Sequence, residues 1–153
     1  MRLIAHRGNL QGKSDKENHP DQISMALSGG FEVEVDLHRV AGQFVLGHDT
    51  PQYAVEECFL VARSSVLWCH AKNLDALHKL IELGLHCFWH QEDDYTLTSK
   101  GHIWAYPGKK LIEGCIAVLP DTLGYLEKDI VLCDGICSDY VEIWDRRLFC
   151  GRE

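Results

Sequence analysis

No run of apolar residues in the chain approaches the roughly 18–20 that a membrane-crossing helix needs, so no transmembrane segment is expected. Basic side chains are scarce: fifteen Lys and Arg stand against twenty-three Asp and Glu, giving a net charge of −8. That balance speaks against a partner that is nucleic acid or an anionic membrane, since both are held through a basic patch; any phosphate recognition must be local. There is no CxxC pair, no HExxH-like segment, no internal repeat and no low-complexity tract. A zinc cluster or a zincin-type hydrolase therefore has no local motif to rest on, although a hydrolase using zinc on His48, His70 and His90 is conceivable on residue type alone. The opening residues, RLIAHRG, are not a charged stretch followed by an apolar secretory core. A cytoplasmic location is the expectation.

The 153 residues, 46% of them hydrophobic, suffice for one substantial core, and one domain over 1–153 is expected. The seven cysteines, Cys58, Cys69, Cys87, Cys115, Cys133, Cys137 and Cys150, are dispersed and odd in number. They read as reduced thiols packing like small hydrophobes rather than as a disulfide frame. The nine histidines are more unusual, and most stand at the polar ends of short apolar runs.

Runs with strand character recur at 2–6, 31–40, 43–48, 65–70, 86–90, 102–106, 115–119 and 130–138. Helical patterns fall between some of them. One covers 20–27, with Pro20 in its first turn and Gly29-Gly30 as its stop; a second is capped by Asn73 and ends at Gly84; a third, shorter one is capped by Asp121. Alternation of this kind indicates an α/β fold with mainly parallel strands. An eightfold barrel usually takes roughly 250 residues, and this length leaves about nineteen per unit, so several helices must be shortened or missing. The polar, glycine-containing segments 93–100 and 107–114 are where that is expected.

Residues 31–38, FEVEVDLH, alternate strictly: Phe31, Val33, Val35 and Leu37 share one face, and Glu32, Glu34, Asp36 and His38 the other. Alone, this is a half-exposed strand. If both faces are covered, Glu34 and Asp36 require a cation or hydrogen-bonding partners. Ala41-Gly42 reads as a hairpin tip, with facing residues whose numbers add to about 83, so His48 returns beside Glu34 and Asp36. His6-Arg7-Gly8 leave the first strand in a tight turn, and Glu17-Asn18 follow after a short loop. Titratable groups converging in this way point to a functional site.

Four short motifs in register, IAHRGN at 4–9, EN at 17–18, the E-x-D of Glu34 and Asp36, and GHD at 47–49, resemble the signature of glycerophosphodiester phosphodiesterases, relatives of phosphatidylinositol-specific phospholipases C. Lys72 in WCHAKN and CSDY at 137–140 are similar to later family motifs. The resemblance implies a minimal, distorted (β/α)8 TIM-type barrel with its site at the carboxyl ends of the strands. It further implies a divalent cation on Glu34 and Asp36, His6 and His48 as the acid and base pair, and a phosphate held by Arg7, Glu17, Asn18 and Lys72. In such enzymes a hydroxyl of the substrate's own glycerol attacks phosphorus, and water then opens the cyclic phosphate. Two positions depart from the pattern. His70 stands where a third carboxylate ligand is usual, and the covering insertion after His48-Asp49 is cut to about fifteen residues. The resemblance implies Mg²⁺ or Ca²⁺, whereas an imidazole ligand suits Mn²⁺ or Zn²⁺ better. His90, Trp104 and Tyr106 end later strands and are candidates for lining the mouth, and Asp139 for orienting a basic neighbour.

The sequence thus leads to a metal-dependent phosphodiester hydrolase acting on a small-molecule phosphodiester, a glycerophosphodiester or similar. A barrel binding a phosphorylated ligand or partner without turnover is the alternative. A homodimer would cover the apolar strand backs that missing helices expose.

Overall fold

The computed structural model describes residues 1–122 and 124–150, apart from the side chain of Cys150, so the expectation for that thiol lies outside the described residues. In chain order the elements are β1 (Arg2–His6), α1 (Pro20–Ser28), β2 (Glu32–Val40), β3 (Gln43–Leu46), β4 (Tyr53–Val55), α2 (Glu57–Val61), β5 (Leu67–Ala71), α3 (Leu74–Glu82), β6 (Cys87–Phe88), β7 (Tyr95–Leu97), β8 (Ile103–Ala105), β9 (Cys115–Val118), α4 (Glu127–Ile130), β10 (Gly135–Ser138) and α5 (Val141–Asp145).

Seven strands run parallel in the order β8, β9, β10, β1, β2, β5, β6. β7 adds antiparallel to β8, and β3 and β4 branch off the far half of β2 as an antiparallel meander. The result is a curled mixed sheet, a half-barrel. It is not the alternating (β/α)8 TIM-type barrel that the sequence suggested. Among the described residues there are five short α-helices, of which only α1 and α3 reach nine residues. The reason is chain length: the β8 to β9 connection, 106–114, is a loop, and the β2 to β5 connection is filled by the meander and the five-residue α2. About nineteen residues per unit leave no room for a full helix at each crossover.

β2 follows its alternation. Val33, Val35 and Leu37 are fully buried on the outer face with Ile23 and Ala26 of α1 and with Ala76 and Leu80 of α3. Each such side chain contributes roughly 1.5–3 kcal/mol by leaving water. Glu34 and Asp36 point inward and are also buried. A second outer cluster gathers Ile130, Cys133, Ile136 and Trp144. The inner face holds a third, with Ile4, Trp68, Phe88, Trp104, Ile116, Val118 and Cys137. Between the sheet's ends, Ser99 N donates to Cys87 O (2.8 Å) and Thr96 Oγ1 to Trp89 O (3.0 Å), so residues 96–99 and the β6 region meet without a ladder.

The hairpin has the expected register, Leu37 opposite Leu46 through Val40 opposite Gln43. Ala41 and Gly42 at its tip take the positive φ values (49° and 84°) that such a two-residue turn requires. Asn73 caps α3 by accepting from Ala76 N, and its side chain also pairs with both backbone groups of Arg39, tying the helix start to β2. Asp121 does not cap a helix; it accepts from Ser138 Oγ and Trp144 Nε1. No helix among the described residues is long and apolar enough to cross a membrane.

Candidate functional site

The carboxyl ends of β1, β2, β5 and β10 converge at one end of the sheet. Registers of His6 with Glu34 and of Asp36 with His70 put four titratable side chains side by side. Glu34, Asp36 and His70 are all buried, and one ligand atom from each lies within 4.8 Å of the others. Such a group could hold a metal ion. Its own hydrogen bonding is incomplete in the way a cation would complete: Asp36 Oδ1 and His70 Nε2 are buried and accept or donate no hydrogen bond among the described residues. Asp36 Oδ1 nonetheless has His70 Nδ1 at 3.1 Å, His48 Nδ1 at 3.2 Å and the Lys72 ammonium at 3.6 Å, close but poorly aligned. Two carboxylates and one imidazole form a mixed oxygen and nitrogen donor set.

The two carboxyls are driven apart electrostatically. Burial alone would raise both. For Asp36 the neighbouring His48 and His70 imidazoles and the Arg7 guanidinium, its Nε 2.9 Å from Oδ2, overcome that and hold the carboxyl well below its usual range. For Glu34 burial, reinforced by the charge of Asp36, leaves the carboxyl raised. Asn18 clamps Asp36, donating to Oδ2 (3.0 Å) and accepting from its backbone N–H (2.9 Å).

Arg7 sits in the left-handed region (φ 53°), directs its N–H to Glu34 Oε2 and its guanidinium to Glu17 (2.8 Å) and His48 Nδ1 (2.7 Å). Gly8, at φ 81°, makes the close turn that follows: a Cβ there would lie 3.1–3.2 Å from Gln22 and Ile23 of α1. His6 donates its Nδ1–H to the Asp139 carboxylate (2.7 Å), while its Nε2 lies 3.9 Å from Glu34. Burial opposes protonation of His6, but the bond to Asp139 and the field of Glu34 outweigh it, and its pKa is raised.

A cavity of about 310 Å³ opens above this group. The sequence-derived residues His6, Arg7, Glu34, His48, His70, Lys72, His90, Trp104 and Tyr106 line it. Asp36 lies beneath, held by its neighbours. Glu17 and Asn18 are brought to the cluster but do not line this cavity; they brace Arg7 and Asp36 from behind. Residues the sequence did not single out are Lys13, Phe88, Val118 and Leu119 on the walls, and Asn9, which donates to both Glu17 and Asp139. Asn9 follows the HRG turn directly, and its position in that motif is the one signal that could have drawn it in. His90 stacks on His70 (4.5 Å between ring centres) and meets the edge of Tyr106. Burial, then the nearby His70 and Lys72, push its pKa down to about 4, so it is neutral near pH 7.

No protein-family model, curated protein or solved structure matches the chain.

Proposed function

We propose that this protein is a metal-dependent phosphodiester hydrolase, acting on a glycerophosphodiester or a similar small diester. The observation that carries the reading is the placement of two imidazoles, His6 and His48, beside one buried Glu/Asp/His group, in a cavity also lined by Arg7 and Lys72. A divalent cation held by Glu34, Asp36 and His70 would supply fixed positive charge against the oxygens of a phosphodiester and of its transition state. Arg7 and Lys72 add charge from the chain itself, and both are already oriented, Arg7 by Glu17 and Asp36, Lys72 by its place at the end of β5. Proton transfer falls to the histidines. Asp139 fixes Nδ1 of His6 and leaves Nε2 on the Glu34 side; Arg7 donates to Nδ1 of His48 and leaves the other ring nitrogen beside Asp49. One of the pair takes the proton of the attacking hydroxyl, and the other gives a proton to the departing alcohol. Imidazole is the side chain whose unperturbed pKa, about 6.5, lies nearest neutrality, which suits the residue type to both tasks. The His70 ligand favours Mn²⁺ or Zn²⁺ over Mg²⁺ or Ca²⁺.

The test is hydrolysis of bis(4-nitrophenyl) phosphate and of glycerophosphodiesters with each of these four metals. Alanine at His6 or at His48 should lower turnover by roughly 10²–10⁴-fold with unchanged circular dichroism. Absence of turnover with every metal, or full activity in both variants, refutes the proposal.

A further inference from the structure

The cavity has two unlike halves. Around β1, β2 and β5 it presents Arg7, Lys72, the histidines and Glu34, with Lys13 reaching in from the loop after β1. Around β6, β8 and β9 it presents Phe88, Trp104, Tyr106, Val118, Leu119 and the ring of His90. Apart from the His90 imidazole, that second half holds no acidic or basic side chain. His70, Phe88 and His90 lie nearly parallel (interplanar angles of 2–11°), and Trp104 is tilted against Phe88 at 4.7 Å. The rings form one continuous aromatic wall that joins the Glu34, Asp36 and His70 group through His70.

A bound phosphoric ester must put its anionic end on the charged half, and the reach of the cavity then sends its organic substituent across the wall. A polyol there would exchange many water contacts for few partners, since His90, Gln91, the Tyr106 hydroxyl and the Trp104 indole N–H are the polar side-chain groups on that side. A cationic headgroup would find no carboxylate on that side, since Glu34, the one carboxyl lining the cavity, stands in the other half with Arg7, Lys13 and Lys72. An uncharged planar substituent packs against these rings at no such cost. We infer that the β6, β8 and β9 half of the cavity is a subsite for an uncharged aromatic or similarly flat apolar substituent of the phosphoric ester. The inference rests on the phosphate reading of the site given above.

Binding decides it without any need for turnover. Calorimetric titration of the protein with Mn²⁺ present uses inorganic phosphate, phenyl phosphate, glycerol 3-phosphate and phosphocholine. Phenyl phosphate should bind at least about tenfold more tightly than glycerol 3-phosphate or phosphocholine. Leu119→Asn removes an apolar wall residue at a position with φ 46°, a conformation asparagine accepts readily, so this variant should fold. In it and in Tyr106→Thr the advantage of phenyl phosphate should shrink severalfold while inorganic phosphate binds as before. If inorganic phosphate binds but phenyl phosphate has no advantage, or phosphocholine binds best, the subsite is overturned and the phosphate reading survives. If none of the four binds, both fall together.

Discussion

Replacing Asp36 with asparagine keeps size and the backbone N–H that Asn18 accepts from, but removes the one charge on which the site's cations converge. Arg7 Nε lies 2.9 Å from Oδ2, the closest of the ion pairs that Asp36 makes, and the Asp36 side chain is almost wholly buried. At an effective dielectric of about 20, that separation corresponds to roughly 6 kcal/mol of attraction, offset in part by desolvation of the carboxylate. Removing one member of a buried pair typically costs about 3–5 kcal/mol, because the other is left uncompensated. Repulsion between Asp36 and Glu34 acts the other way. The carboxyl is nevertheless held well below its usual pKa, so attraction wins and the substitution should destabilise the metal-free protein. With each kcal/mol worth about 2–4 °C in a domain of this size, a loss of about 3 kcal/mol lowers Tm by roughly 6–12 °C.

The pH dependence has a fixed sign. A depressed carboxyl stabilises the fold above its unfolded pKa of about 3.9 and loses that contribution as pH falls through the folded value. Denaturant titrations in EDTA should therefore separate wild type from Asp36→Asn fully at pH 7 and progressively less below pH 4. Adding Mn²⁺ at a hundredfold excess over its dissociation constant should stabilise wild type by about 2.7 kcal/mol and leave the variant nearly unchanged. Equal stability of the two proteins in EDTA at pH 7, or a higher stability of the variant, would refute the electrostatic reasoning. Equal stabilisation by Mn²⁺ would remove Asp36 from the ligand set.

The pair formed by His6 and Asp139 predicts the opposite slope. Its contribution through the raised His6 is complete below pH 6.5 and declines as pH rises through the folded pKa, so wild type should lose its stability advantage over Asp139→Asn in that window, and the His6 imidazole should titrate at lower pH in the variant by NMR. Gly47 stands at φ 148° with Thr50 O 2.1 Å from where a Cβ would be, so Gly47→Ala should cost at least about 3 kcal/mol and displace His48; an unchanged urea midpoint would show that the turn relaxes freely.

What could be read from sequence was what is encoded locally. β1 has the expected bounds, and β2, α1 and α3 fall within a residue or two of theirs, because strict alternation, a first-turn proline and the Asn73 cap each act within a few residues. The hairpin register followed from its tip. The same reasoning placed a loop at 93–100, where β7 pairs with β8: Tyr95–Leu97 is a short, largely exposed edge strand with no inward apolar face to announce it. The third helix was expected from Asp121 as a cap, but α4 begins at Glu127, while Asp121 is drawn off by Ser138 and Trp144, partners remote in sequence. The segment after Asp49 contains β4 and α2, both too short to show a period. Above all, closure into an alternating barrel was an expectation from resemblance, and the number of residues between strands overruled it.

The site divides along the same line. Glu34 and Asp36 share one face of a strictly alternating strand, which alone reads as half-exposed, and they stand out because the E-x-D falls in register with three other short motifs. His48 follows from the register beside them. Nothing local links His6 to Asp139, which are 133 residues apart and meet because β1 and β10 lie parallel with Ala5 opposite Ser138. The opposite wall is hidden for a different reason. Phe88, Trp104 and Val118 come from strands whose residues are buried on both faces, so the side chains facing the cavity and those facing the helices are equally apolar and no alternation separates them. Half of the cavity is thus spelled out by polar and charged residues while the other half is written in the same letters as the core. Only the curl of the sheet, which turns those apolar residues toward Glu34, Asp36 and His70, joins the two halves in one cavity.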